Sequence, residues 1–407
     1  MLKTKLFPSA LILFLLSYGV FAQSVLQEQS LISLDRLARY ENMIDQHIDQ
    51  EKIPGAVTLI YKNGEVIQHK AYGVSDVNSN EPMLKNQLFF IQSMSKPIIT
   101  TGIMMLYEEG YFQLNDPVEK YLPWFKDFKI ANNPSLGIAG GTRIAKNKIT
   151  IAQLLSHTAG FSHGIAGGKL EEEIGEALYR SPQETIESRV RTLASLPLIG
   201  EPGEQWYYSA SPDVLSLLIE TFSGMTTADF LQQRLFDPLG MKNTGYNLNE
   251  EQQDRMVQVH TIDENGNLIK QKNQTPTSGN TVYGGTHGLF STTEDYLKFT
   301  RMLLNDGESN GIQFLSPKTI ELMTMDQADG LYNGAGHGFG FGFAVLEDLA
   351  DAKKLGSVGQ YFWSGAYCTF FFIDPKEDLI SIFMTQMNPY SNYWGDKMRQ
   401  MVYQSIQ

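Results

Sequence analysis

The chain has 407 residues, 42% of them hydrophobic and 11% aromatic, with a formal charge of −13 at neutral pH and one cysteine, Cys368. That apolar content is enough for a sizeable core, and so acidic a surface argues against nucleic acid and anionic membranes as partners. A lone cysteine excludes an intrachain disulfide, so packing must hold the fold.

Met1, Lys3 and Lys5 lead into an apolar stretch from Leu6 to Val20, followed by the small Ala22. A basic start and an apolar run too short to span a bilayer predict a cleavable signal peptide over residues 1–22. The expectation is a periplasmic or secreted protein with no stable membrane anchor and no obligate protein partner. Losing Lys3 and Lys5 takes the formal charge from −13 to −15. About 385 residues remain, more than one core usually organises, so two domains or subdomains are expected.

Residues 34–55 put Leu37, Tyr40, Ile44 and Ile48 on one helical face, ending at Pro54-Gly55. AVTLIYKNGEVIQHKAYGV predicts two strands around Asn63-Gly64, a strong hairpin signal. A helix is expected over about 93–109, stopping at Gly110. Residues 111–275 carry several helical patterns, long loops and few strands; SPDVLSLLIETFSG, 211–224, has a Ser-Pro-Asp start and a terminal glycine. Strand character returns in AYCTFFFIDPKEDLISIFMTQ, 366–386, as two runs around a turn at Asp374-Pro375-Lys376-Glu377-Asp378, and a closing helix starts near 394. The layout is α+β: an antiparallel sheet flanked by helices, from residues 23–110 and 276–407, interrupted by a mostly helical subdomain at 111–275.

Ser93-Met94-Ser95-Lys96 is a Ser-x-x-Lys motif. Residues three apart share a helix face, so Lys96 can reach back to Ser93 Oγ, and a helix N-terminus favours a developing alkoxide. A serine hydroxyl needs a base, which lysine supplies if burial and nearby positive charge lower its pKa from about 10.4. Chance supplies roughly one or two such spacings in a chain of this composition, so the motif alone leaves open a plain helix cap at Ser93 with a solvated Lys96. Gly307-Glu308-Ser309-Asn310-Gly311 matches a Gly-x-Ser-x-Gly elbow, which needs a strand before the serine and a helix after it. The helical run EDYLKFTRMLL precedes it instead, so a surface turn is expected. The seven histidines are scattered, with no zinc-binding spacing; no metal or cofactor is expected, and His157 reads as a structural hydrogen-bonding group. GAGHGFGFG, 334–342, reads as a strand and lacks the flanks of a dinucleotide loop.

Seven segments, in order, resemble serine hydrolases of the class C β-lactamase type, a family that includes penicillin-binding-protein-like peptidases and family VIII carboxylesterases. They are FFIQSMSKPI, LNDPVEKYLPWF, ITIAQLLSHTAGF, EPGEQWYYSASPDVLSLLIE, LFDPLGMKNTGY, GGTHGLFSTTEDYLKFTRMLLNDG and GQYFWSGAYCTFFFIDPKEDLISIFMTQ, spanning most of the chain. The resemblance implies a β-lactamase/transpeptidase-like fold with its site between the two subdomains. It implies Ser93 as the acylated nucleophile, Lys96 as its partner and Tyr208 as the tyrosine of a Tyr-x-Asn motif, with Tyr207 the alternative. Trp363-Ser364-Gly365 aligns with the Lys-Thr-Gly strand motif as a substrate-binding segment, and the N–H groups of Ser93 and Ala366 would form the oxyanion hole.

Two departures matter. Ala210 stands where the motif has Asn, removing an amide, and Trp363 stands where it has Lys, removing a cation for a substrate carboxylate. Lys376, Lys397 and Arg399 are the cations whose reach into the cleft would compensate. The implied substrate is a small ester or amide. A short-chain carboxylesterase is the first expectation, a β-lactamase or D-amino-peptide hydrolase the second, and a non-catalytic peptidoglycan-binding relative the third.

Overall fold

The computed structural model describes residues 32–407, so the expected signal peptide lies outside it. Ser33 accepts the Arg36 N–H and starts helix α1, Leu34–Asp49, whose inner face is Leu37, Tyr40, Met43 and Ile44. The helix ends before the expected Pro54: Glu51 takes a φ of +55° and the Lys52 N–H turns back to the His47 carbonyl. Strands β1, Gly55–Lys62, and β2, Glu65–Asp76, form the expected hairpin. Asn63 and Gly64 both have positive φ, +49° and +86°, as a type I′ turn requires. Strand β3, Glu81–Pro82, follows, then helix α2, Ser95–Glu108.

Residues 111–275 contribute no strand to the large sheet and contain several short helices and helix α3, Ser211–Ser223, which is closed by Gly224 at φ +70°. Helix α4, Thr293–Leu304, precedes β4, His337–Phe339, β5, Ala344–Leu346, and β6, Tyr361–Gly365. Strands β7, Thr369–Asp374, and β8, Leu379–Met384, flank the expected turn, and helix α5, Tyr393–Tyr403, closes the chain.

The eight strands run in the order β4-β5-β6-β7-β8-β1-β2-β3, every neighbour antiparallel. The period-two alternation of a strand sends Ala56, Ile60, Phe370 and Phe372 into one cluster with α1 and α5. Val57, Leu59, Phe371 and Ile373 go into a second cluster on the other face, with α2, α3 and α4. This second cluster runs without interruption into residues 111–275, through Leu154, Ile186, Val190 and Leu218. The inserted helices thus share the core of the sheet. Among the described residues no single helix is long and apolar enough to cross a membrane.

Candidate active site

Ser93 sits in a 3₁₀ turn, Gln92–Met94, just ahead of α2, and therefore precedes the helix that was expected to contain it. Gln92 has a φ of +49°, a left-handed backbone that non-glycine residues rarely adopt and that clusters at functional sites. Neither serine acts as a side-chain helix cap: α2 has no capping hydrogen bond, and Ser95 Oγ instead accepts the Leu289 N–H at 3.3 Å.

Lys96 reaches back from the first turn of α2 and places Nζ 3.1 Å from Ser93 Oγ while donating to the Thr286 carbonyl at 2.7 Å. It is 1% exposed, which rules out a solvated lysine. Burial penalises the ammonium and pushes the Lys96 pKa down to about 7, against the attraction of Asp213.

Tyr208 lies on the segment leading into α3. His157, buried and with a φ of +59°, braces that segment: its carbonyl accepts the Tyr207 N–H at 3.0 Å, and its Nδ1 accepts the Ser209 N–H at 3.2 Å. The Tyr208 ring centre is 4.6 Å from Lys96 Nζ. Burial raises the phenol above its usual range, partly offset by the Ser93 hydroxyl and the Trp363 indole. Tyr207 turns its hydroxyl to Gln205 Oε1 instead. Ala210 is fully buried at the start of α3 and offers no side-chain amide.

The end of β6 abuts the turn that carries Ser93. A methyl group on Gly365 would lie 2.3 Å from the Ile91 carbonyl oxygen, so only glycine allows this approach. Ala366 follows, exposed at the strand end, which sets its N–H and that of Ser93 on adjoining segments. Trp363 shares the strand face of Gly365 and lies with its ring 5.6 Å from Tyr208 and 5.3 Å from Phe339. Ser364 points the other way, its hydroxyl 2.9 Å from that of Tyr390. Of the three strand residues expected to bind substrate, the structure brings Trp363 and Gly365 to the Ser93 side but not the Ser364 hydroxyl.

Sequence reasoning missed an aromatic wall behind Tyr208. Trp206 lies 4.8 Å from Tyr332 and 5.3 Å from Phe339, ring centre to ring centre, and Phe339 contacts Trp363. The hints were Trp206, two residues before Tyr208, and GAGHGFGFG, which supplies Phe339. The compensating cations do not reach this wall. Lys376 lies in the β7–β8 turn, at the end of the sheet away from Gly365, since Gly365 pairs with Thr369 and Tyr361 with Ile373. Arg399 stacks on Phe362, on the opposite face of β6 from Trp363, and Lys397 donates to Gln400. Ser309 forms a two-residue hairpin, Glu308–Ser309 pairing with Ile312–Gln313, as the surface-turn reading expects. No cluster of metal-ligating side chains occurs among the described residues.

Comparison with known proteins agrees in fold and family. A model of the Beta-lactamase family matches residues 40–400. Protein Rv1367c of Mycobacterium tuberculosis is 32% identical over 84% of this chain and 88% of its own. Esterase EstB of Burkholderia gladioli is 26% identical over 88% of this chain and 92% of its own. Among solved structures, EstCE1, described as a hydrolase with promiscuous acyltransferase activity, superposes with a TM-score of 0.77 at 27% identity. The match covers 91% of this chain and 99% of that one.

Proposed function

The chain belongs to the Beta-lactamase family of serine hydrolases, and from that premise we propose that it is a carboxylesterase acting on short-chain esters through an acyl-enzyme on Ser93. Above about pH 7 Lys96 is largely the neutral amine and takes the Ser93 proton as Oγ attacks the ester carbonyl. The Ser93 and Ala366 N–H groups receive the oxyanion. Tyr208, kept protonated by burial, gives its proton to the departing alkoxide and regains one from Lys96. Water then attacks the acyl-enzyme by the reverse proton path, releasing the acid and restoring Ser93.

The observation that carries the ester reading is the wall of Trp363, Phe339 and Trp206 beside Tyr208. A carboxylate entering the cleft must shed water, which is costly without a cation to replace it. The lactamase pattern supplies Lys there; this chain supplies an indole, whose apolar face suits an acyl or alkoxy group. The named activity of EstB supports the same choice. A second reading, transfer of the acyl group to an alcohol in place of water, is favoured by the described activity of EstCE1 and uses the same acyl-enzyme. The reading includes export to the periplasm or medium, supported by the N-terminal pattern of residues 1–22. The test compares kcat/KM for p-nitrophenyl butyrate and nitrocefin. Preference for the butyrate is expected, and preference for nitrocefin would overturn the esterase reading.

A further inference from the structure

We infer that Asp213 is a positioning residue for Lys96, acting through Thr286, and that Arg189 moderates it from the far side. Asp213 lies in the first turn of α3 and is 1% exposed. Its Oδ1 accepts the Thr286 N–H at 2.8 Å, and the carbonyl of that same residue accepts Lys96 Nζ at 2.7 Å. A neutral amine whose hydrogen is held by Thr286 can turn its lone pair to Ser93 Oγ, 3.1 Å away.

The segment carrying Thr286 is fitted to Asp213 by its glycines. A methyl group on Gly285 would lie 2.0 Å from the Pro212 carbonyl oxygen. One on Gly284 would lie 2.9 Å from Asp213 Oδ1 and 3.0 Å from Arg189 Nη1. The Gly284 carbonyl accepts the Tyr246 hydroxyl at 2.8 Å, so the segment is held from both sides.

The charges around Lys96 give Asp213 its electrostatic part. His157, His163 and His287 are all driven towards the neutral form by burial, reinforced by the charge of Lys96 at the first two and by Arg189 ahead of Lys96 at His287. Tyr208 is kept as the neutral phenol. Asp213 is the carboxylate of this group, and it opposes the burial that drives the proton off Lys96. Its second oxygen has no hydrogen bond and faces Arg189 Nη1 at 3.7 Å; that guanidinium rests over the Tyr179 ring. Asp213 therefore governs both where the amine sits and how readily it loses its proton. A carboxylate that merely stabilised the start of α3 would leave that proton alone.

The inference rests on the reading of Lys96 as the base for Ser93, and the experiment separates the two. The pH profile of kcat/KM for p-nitrophenyl butyrate is measured for wild type, Asp213→Asn, Arg189→Met and Lys96→Ala. Asn keeps an acceptor for the Thr286 N–H but removes the charge, so the acidic limb of Asp213→Asn should move down by about half a pH unit or more. Arg189→Met removes a cation and unmasks Asp213, so its limb should move up. Opposite shifts are the expected result, because general damage to the site does not move two limbs in opposite senses. Limbs that stay put, or move the same way, with Lys96→Ala inactive, overturn the role of Asp213 alone. An active Lys96→Ala enzyme overturns the underlying reading and this inference with it. If Asp213→Asn does not fold, Arg189→Met decides: an acidic limb that fails to rise overturns the inference.

Discussion

Two serines of this chain sit in sequences that match nucleophile motifs, and their surroundings differ in kind. Ser309 stands on a two-residue hairpin, followed by Asn310 at φ +54° and Gly311 at φ +78°, and no amine, imidazole or phenol hydrogen-bonds its hydroxyl among the described residues. Ser93 follows a left-handed Gln92, faces a buried amine at 3.1 Å and lies beside the strand end at Gly365. The spacing of the motif is short-range and cheap to meet by chance. A buried amine beside the serine is not, because desolvating a lysine is unfavourable unless the fold compensates elsewhere. Environment separates the two serines.

The largest effect is expected at the serines themselves. Ser93→Ala should lower kcat/KM for p-nitrophenyl butyrate by about 10⁴-fold or more, while Ser309→Ala should stay within about twofold of wild type. Loss of activity in the Ser309 variant would erase the contrast. Next come the two residues to which the proposal gives the proton transfers. Lys96→Ala and Tyr208→Phe should each reduce kcat by about 10²–10⁴-fold, and the double variant by less than the product, as members of one unit. Tyr207→Phe should remain close to wild type, since its hydroxyl faces Gln205; the reverse outcome for the two tyrosines would move the role to Tyr207.

A smaller change is expected in selectivity. Trp363→Lys should shift the ratio of kcat/KM for nitrocefin over p-nitrophenyl butyrate upward by about tenfold, by supplying a cation and removing apolar surface. An unchanged ratio would detach the aromatic wall from substrate choice. The smallest expected effect is thermodynamic. The Lys96 pKa falls from its ordinary 10.5 to about 7 on folding, so between these values the unfolded chain binds the extra proton. Wild-type stability from this group therefore rises as pH climbs from about 7 to about 10, and the burden is full below 7. Relative to wild type, the Tm of Lys96→Met should be most favourable at or below pH 7 and lose ground as pH rises through that window. A pH-independent difference would show that Lys96 is not held neutral by burial.

How far the sequence foretold this site depends on the range of the contacts involved. The contact between Ser93 and Lys96 was legible because three residues separate them along one turn, and the β1–β2 hairpin because Asn63-Gly64 encodes its own turn. The start of α2 at Ser95 was not, because a glutamine carries the positive φ that delays it and nothing in its side chain announces this. The orientation of Ser364 depends on strand register, which flips a residue between faces with each step. Tyr332, Phe339 and Thr286 reach Tyr208, Lys96 and the Trp206–Asp213 segment only through tertiary packing, which local pattern does not record.

The central claim, that Lys96 makes Ser93 the nucleophile, is tested most directly by covalent labelling. A fluorophosphonate probe is added to wild type, Ser93→Ala and Lys96→Ala, and the modified residue is located by peptide mapping. Label is expected on Ser93 in wild type, with none in Ser93→Ala and a strongly slowed reaction in Lys96→Ala. Label on Ser309, or undiminished labelling of Ser93 without Lys96, would contradict it.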